Sequence, residues 1–595
     1  MRRRKTKIGI AFSDFVEEQT FSFSKRGSNY SSGSSNLFLV IPLFVLLAAF
    51  AILLIRLFYV GVVQGAYYKT LSEQNRTRAV IVAAPRGVIF DRNNKPLVRN
   101  APVFEKVENG KATIISKDEA LKTLNEGKNV TATIARDYLY KSIFAHVLGY
   151  TGQISDDEIN KPDYKGYVIS DFVGKMGIEK EYEKFLHGKN GIQLYEVNAA
   201  GKNIRFLGKL DEVPGVNLQT TLDVDTQKAA AKALEKVSKG AVVVSDPRDG
   251  GILALYSKPT FDANLFTHPK DYDAEGDYTN VESILTDSDN QPLLDRTIGG
   301  AYPPGSTFKL VTAAAALSTG AINKDTEYED TGVLKVGEFS FGNWYFLQYG
   351  GKEGNVDVVK AIKRSNDIFF YHAADEAGVD TISNWAKRLG AGSLLGIDLP
   401  GEVQGTVPTE EWKQKTLGEQ WYTGDTYNYG IGQGYLLTTP LQVNFWTTVF
   451  ANGGTLYRPH ILKNDVKKIR ENIVKKDYID LITKGMGESC DTGGVAWPLF
   501  NFKVQNPRLK IDGMNYTEDA SSSGKMTRVK LGCKTGTAEI GGKETKPHAW
   551  ITVFAPFYNP EVVVTVLVEN GGEGSSVAGP IARDILKDYF EKKNN

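Results

Sequence analysis

Three short strings hold residues able to carry out acyl transfer. In AYPPGSTFKLVTAAAAL (residues 301–317), Ser306 and Lys309 stand three apart at the start of an alanine-rich apolar run. Residues i and i+3 of a helix share a face, so a serine hydroxyl can meet a lysine amine there. A serine is a weak nucleophile until a base takes its proton, and a partly desolvated lysine can be that base. The bland alternative is that Ser306, following two prolines and a glycine, simply caps a helix. Lys309 fits that alternative poorly. A capping box would put Glu at this position, and the positive end of the helix dipole disfavours a cation while favouring the neutral amine. The second string is Ser365-Asn366-Asp367, a hydroxyl and a carboxylate two residues apart between helical stretches. The third, Lys534-Thr535-Gly536 in VKLGCKTGTAEI, reads as a strand. Gly536 lets a substrate lie close to the backbone, while Lys534, Thr535 and Thr537 can hold a carboxylate.

The elements that must position these strings come from distant parts of the chain. GAVVVSDPRDGGILALYS gives two apolar strands across a turn, and AWITVFAPFYNPEVVVTVLVEN gives two more around Asn559-Pro560. Between them the pattern is mostly helical, and GPIARDILKDYFEKK closes the chain as a helix with Ile581, Ile585 and Tyr589 on one stripe. This predicts one α+β domain over residues 216–595, its antiparallel sheet assembled from both ends and covered by helices. Asp223 or Asp225 is expected to cap the helix after VNLQTTLDVD. Residues 58–215 mix strands, turns and helices as a second domain, opening with a hairpin in PRGVIFDRNNKPLVRNAPVF. A helix there is expected to end at Gly188. Residues 37–57 carry an apolar run long enough to span a membrane, after a basic and flexible segment 1–36. That flank argues for a cytoplasmic N-terminus and an exported bulk, and the length of the run for a retained anchor over a cleaved signal. A net charge of +1 gives no electrostatic case for nucleic acid. Six histidines without paired ligand spacing predict no metal, and two cysteines allow at most one bridge.

The three strings are specific together, with 59 residues from Ser306 to Ser365 and 169 from Ser365 to Lys534. S-x-x-K, S-D-N and K-T-G in this order are a known signature of serine β-lactamases and penicillin-binding proteins, and Ser365-Asn366-Asp367 stands in the second place. With PRGVIFDRNNKPL (85–97), PPGSTFK, GIGQGYLLTTPLQ (430–442) and KTGTAE before HAWITVFAP, the chain resembles a class B penicillin-binding protein. The resemblance implies a transpeptidase domain on an elongated pedestal behind one transmembrane helix, a peptidoglycan D,D-transpeptidase without cofactor. It implies that Ser306 attacks the penultimate D-Ala of a stem peptide and that Lys309 takes its proton. Ser365 and Lys534 would relay a proton to the leaving amine. The amides of Ser306 and Thr537 would form the oxyanion hole, with Thr535, Gly536 and Thr537 binding substrate. β-Lactams would acylate Ser306, and a SEDS-type glycosyltransferase is the expected partner.

Several positions depart from the family pattern. Many members carry Asn where this chain has Asp367, and some elongation-type members carry Asp, which points to side-wall synthesis over division. A carboxylate there favours charged Lys309, the wrong form for a base, unless it is protonated or turned away. Some of those relatives hold zinc through a histidine and a cysteine between the first two motifs, and this chain has neither between 310 and 365. Cys533 is expected as a small apolar filler, a redox-sensitive thiol or a bridge to Cys490 being the alternatives. Residues 486–500 read as a surface insertion, and His548 as a packing partner of Trp550. A β-lactam sensor or hydrolase is a rival function, but needs no pedestal. A scaffold with a dead site is another, opposed by the intact strings.

Overall fold

The structure, a computed structural model, describes residues 37–108, 111–128, 130–169, 171–198, 202–506, 508–510, 513–518, 526–541 and 545–593. The expected flexible segment 1–36 lies outside the described residues. The chain divides into two compact units, one of residues 1–79 and 194–208, the other of 80–193 and 209–595.

In the first unit helix α1 (Leu37–Phe58) continues through the turn Tyr59–Val63. The apolar stretch long enough to cross a membrane runs Val40–Val63, with no residue buried. It therefore extends past 57, because Tyr59-Val60-Gly61-Val62-Val63 adds another uncharged turn.

In the second unit β1 (Ile89–Phe90) pairs antiparallel with β2 (Pro96–Glu108), and β2 with β3 (Val130–Tyr138). Arg86 and Gly87, just before β1, have separate uses. A Cβ on Gly87 would sit 1.9 Å from the Val216 carbonyl oxygen, so only glycine fits. Buried Arg86 donates to Glu179 (2.8 Å) and Glu183 (2.7 Å), and Arg136 donates to Glu179 (2.7 Å). Burial alone would raise the Glu179 carboxyl, yet Arg136 and Arg86 hold it below the ordinary carboxylate value. The network also accounts for one deviation. The helix expected to run to Gly188 is broken at Tyr182 into Gly177–Glu181 and Glu183–Leu186, and both carboxylates reach Arg86. Arg86→Ala leaves two buried carboxylates short of a partner and should cost about 3–5 kcal/mol. Thermal and urea unfolding of the detergent-solubilised chain check this, and an unchanged midpoint would contradict it.

Helix α2 (Val224–Ala233) is capped by Asp223, which accepts from the Thr226 amide. The large sheet joins β4 (Gly240–Ser245) and β5 (Ile252–Lys258) to three strands from the far end of the chain: β6 (Gly532–Ala538), β7 (His548–Ala555) and β8 (Val562–Val568). Its order is β5-β4-β8-β7-β6, antiparallel throughout. Both faces are covered, which is why these strands read as unbroken apolar runs. Val243, Trp550, Phe554 and Val563 face the helical core. Val242, Ile551, Val553 and Val564 face a second core with Ile581, Ile585 and Phe590 of the closing helix Gly579–Lys592.

Two expectations fail here. Residues 486–500 are not a surface insertion, since Met486, Cys490, Ala496 and Leu499 are buried. Cys533 is not a free filler; it is bonded to Cys490, and the Cα atoms are 5.8 Å apart. Alternation along β6 turns Cys533 to the second core, where the end of the helix Lys476–Ser489 delivers Cys490. Intact-mass analysis should show a gain of about 2 Da on reduction, a change on the order of two hydrogens.

Candidate active site

The nucleophile string folds as a 3₁₀ turn, Gly305–Phe308, leading into helix α3 (Lys309–Thr319). Ser306 lies within the turn and caps nothing, so the bland reading of the serine fails. The turn is clamped from two sides. Gly305, at φ 53°, donates its N–H to the Gly432 carbonyl at 2.9 Å, and a Cβ on Gly432 would sit 2.1 Å from the Gly305 oxygen. On the other side, a Cβ on Gly305 would come within 2.7 Å of the Thr537 carbonyl oxygen. Gln433 Nε2 donates to that same oxygen at 3.3 Å. The GIGQG segment therefore fits the Ser306 turn against strand β6, the edge strand of the sheet.

Helix α4 (Val358–Arg364) ends on Ser365, which adopts left-handed backbone values of φ 54° and ψ 39°. Such values are uncommon for a residue other than glycine and persist only where the surroundings impose them. Asn366 then caps α5 (Asp367–Ala377) by accepting from the Phe369 amide at 2.9 Å. The second string is thus a sharp junction between helices that buries both the Ser365 and the Asp367 side chains.

The three strings meet through their side chains. Lys309, fully buried, donates from Nζ to Asp367 Oδ1 (2.6 Å), to the Ser365 carbonyl oxygen (2.8 Å) and to Ser365 Oγ (3.4 Å). Lys534, also fully buried, donates to Ser365 Oγ at 2.8 Å and to the Thr535 carbonyl at 2.9 Å. Ser365 Oγ therefore lies between two amines. The hydrogen bond expected between Ser306 and Lys309 is absent among the described residues. Asp367 wins the ammonium, because a carboxylate acceptor outweighs a neutral hydroxyl. Nor is Asp367 turned away, since Oδ2 also accepts from the Trp344 amide at 2.9 Å. Thr537 Oγ1 accepts from the Gly574 amide at 3.3 Å. Gly536 is packed so tightly that a Cβ would meet the Pro304 oxygen at 3.0 Å. His548 stays outside this chain of bonds, edge-on to Tyr302 and accepting from the Asn570 amide.

Burial pushes the Lys309 ammonium below the ordinary lysine value, with Asp367 opposing. Burial pushes Lys534 down further, well below that value; nearby Lys309 adds to the effect and Asp367 again opposes. Two amines and one carboxylate, excluded from water, favour a single shared positive charge. That arrangement leaves one amine free to accept a proton.

The chain matches the penicillin binding protein transpeptidase domain over residues 240–587, and the penicillin-binding protein dimerisation domain over 105–220. The chain belongs to the penicillin-binding protein family. It is 32% identical to the peptidoglycan D,D-transpeptidase MrdA of Escherichia coli K12, across 91% of this chain and 92% of that one. It is similar to the penicillin-binding protein PBP2 of Helicobacter pylori, solved in complex with MreC, with 28% identity and a TM-score of 0.71. That match covers 87% of this chain and 99% of the other. A chain from a peptidoglycan synthase complex that coordinates polymerisation and crosslinking matches at 28% identity and a TM-score of 0.68, over 94% and 100%. In this penicillin-binding protein the mixed α+β transpeptidase domain accompanies a dimerisation domain.

Sequence reasoning missed the segment 328–356. It brings Trp344, Asn343 and Asp330 to the Asp367 junction. Its strands are three or four residues long and its key residues polar, so no periodic signal marks it.

Proposed function

We propose that the chain cross-links peptidoglycan by serine acyl transfer, in wall elongation rather than division. It is a penicillin-binding D,D-transpeptidase, and the observation that carries the assignment of roles is the continuous set of bonds Asp367–Lys309–Ser365–Lys534 behind the Ser306 turn. Ser306 Oγ attacks the carbonyl carbon of the penultimate D-Ala while the shared positive charge sits on Lys534, and its proton passes to the then-neutral Lys309. The amide C–N bond then breaks, and the departing D-Ala amine receives a proton through Ser365 Oγ from Lys534. A neighbouring stem's amine next attacks the ester, giving up a proton through Ser365 Oγ to Lys534, and the C–O bond breaks as Lys309 returns a proton to Ser306 Oγ. The Ser306 and Thr537 amides stabilise the oxyanion, a contribution of about 3–4 kcal/mol per donor in comparable sites. Thr535 and Thr537 take the substrate carboxylate. β-Lactams, which present a similar acyl group, acylate Ser306.

Asp367 and the likeness to MrdA support the elongation role. The apolar helix anchors the chain in a membrane, and the basic residues before it support a cytoplasmic N-terminus with the catalytic unit outside. Relatives solved with MreC and within a synthase complex support assembly with wall-synthesis proteins, and a SEDS-type polymerase is the partner we assign. The test is to incubate the solubilised chain with a stem peptide ending in D-Ala-D-Ala and a labelled amine acceptor. The labelled cross-linked product should form with stoichiometric release of D-Ala. Release without labelled product would instead support a hydrolase.

A further inference from the structure

Behind Asp367 lies a second buried carboxylate that the proposed mechanism does not use. Asp330 ends the short strand Tyr328–Asp330 and is only 2% exposed. Its Oδ1 accepts from the Gly332 amide at 2.7 Å. Its Oδ2 accepts from Asn343 Nδ2 (2.7 Å), Asn366 Nδ2 (2.8 Å) and the Glu353 amide (3.1 Å). Four N–H groups and, among the described residues, no cation hold the carboxylate; Glu353 turns its own carboxylate to Arg364. Both side-chain amides are completely buried, and each uses its oxygen at the catalytic junction. Asn343 Oδ1 accepts from the Asp367 amide at 3.1 Å, and Asn366 Oδ1 caps α5. The residue after Asn343, Trp344, donates its amide to Asp367 Oδ2 and its indole N–H to the Arg364 carbonyl.

We propose that Asp330 is a positioning residue for acyl transfer, orienting Asn343 and Asn366 so that the Asp367 carboxylate is held against Lys309. An amide can present either its oxygen or its NH₂ to a neighbour, and the Asp330 carboxylate, an acceptor only, fixes both amides with nitrogen inward. Their oxygens must then point to the amides of Asp367 and Phe369. With Asp330 neutral, either amide can rotate, and Asp367 loses the contact that fixes its backbone. The loss spreads because a buried polar network is stable only when every member is satisfied.

The inference rests on the proposed role of the Asp367–Lys309 pair, so the test includes Asp367→Asn alone. Acylation of the full chain by a fluorescent penicillin is followed over a range of concentrations, at a pH above the rise where Lys309 is already neutral, separating the first-order acylation step from the binding constant. Asp330→Asn should slow the acylation step by about tenfold to a hundredfold, the effect of unmaking a hydrogen bond to a buried charge. The penicillin binding constant should change by no more than about twofold. Added to Asp367→Asn, Asp330→Asn should slow the step by no more than about twofold, as expected of residues acting through one another. An unchanged acylation step, or an equal loss in both backgrounds, overturns the proposal; a purely structural clasp would give the latter. If Asp330→Asn reduces the fraction of chain able to bind penicillin, Asn343→Ala cuts the same link from its other end. It must then give the same slowing and the same coupling. If Asp367→Asn itself leaves the step unchanged, the role assigned to the ion pair fails and not the geometry behind it.

Discussion

Ser306→Ala abolishes covalent labelling by penicillin and lowers D-Ala release by about 10⁴-fold or more, the scale seen when a nucleophilic serine is removed. The change deletes one atom from a 3₁₀ turn that Ser306 does not cap. The turn itself is held by Gly305, Gly432 and Thr537, none of which is altered. The thermal midpoint should therefore stay where it is, within the small range usual for substitutions away from core and caps. Loss of labelling with retained stability separates loss of the nucleophile from loss of fold. Labelling that survives the substitution would falsify the assignment of Ser306.

Lys309→Met slows acylation by about 10²–10⁴-fold, the usual contribution of a general base. The same substitution also destabilises the fold, because it leaves Asp367 buried without its cation, a loss of about 3–5 kcal/mol. The two effects can be told apart. Lys309→Met combined with Asp367→Asn removes the orphaned charge and should restore much of the stability, yet leave acylation as slow as before. The pH dependence follows from the same groups. The charges facing Lys309 are Asp367 on α5 and Lys534 on β6. The base works only when neutral, so acylation should rise with pH through a value depressed below that of ordinary lysine. Asp367 favours the charged form, so Asp367→Asn should move this rise to lower pH. A rise shifted upward, or an acylation rate recovered together with stability in the double variant, would contradict Lys309 as the base.

Much of this arrangement was legible because chemistry and periodicity coincide in the sequence. VVVSD, VVVTVLV and HAWITVFA are apolar on both faces of one sheet, and the last helix shows its stripe; Leu586 and Phe590 widen it beyond Ile581 and Ile585. The three strings, too, were visible as Ser306, Lys309, Ser365 and Lys534. What stayed hidden depends on contacts between distant residues. The preference of Lys309 for Asp367 over Ser306 is decided by a carboxylate arriving from another helix. Residues 486–500 look like a loop because glycines and acidic residues separate Met486, which the fold buries in the helical core, from Cys490, Ala496 and Leu499, which it gathers into the second. The break at Tyr182 reflects two glutamates drawn to an arginine almost a hundred positions earlier. Asp330 and Asn343 carry no motif at all, and only their mutual bonds reveal them.

The most direct measurement is the site of the acyl-enzyme. The solubilised full-length chain is treated with penicillin, quenched, digested and mapped by tandem mass spectrometry. The account predicts one persistent adduct, on the Ser306 side chain of the peptide containing PPGSTFK, and none on Ser365 or the KTGT threonines. An adduct on another residue, or one that hydrolyses as fast as it forms, would contradict acyl transfer through Ser306.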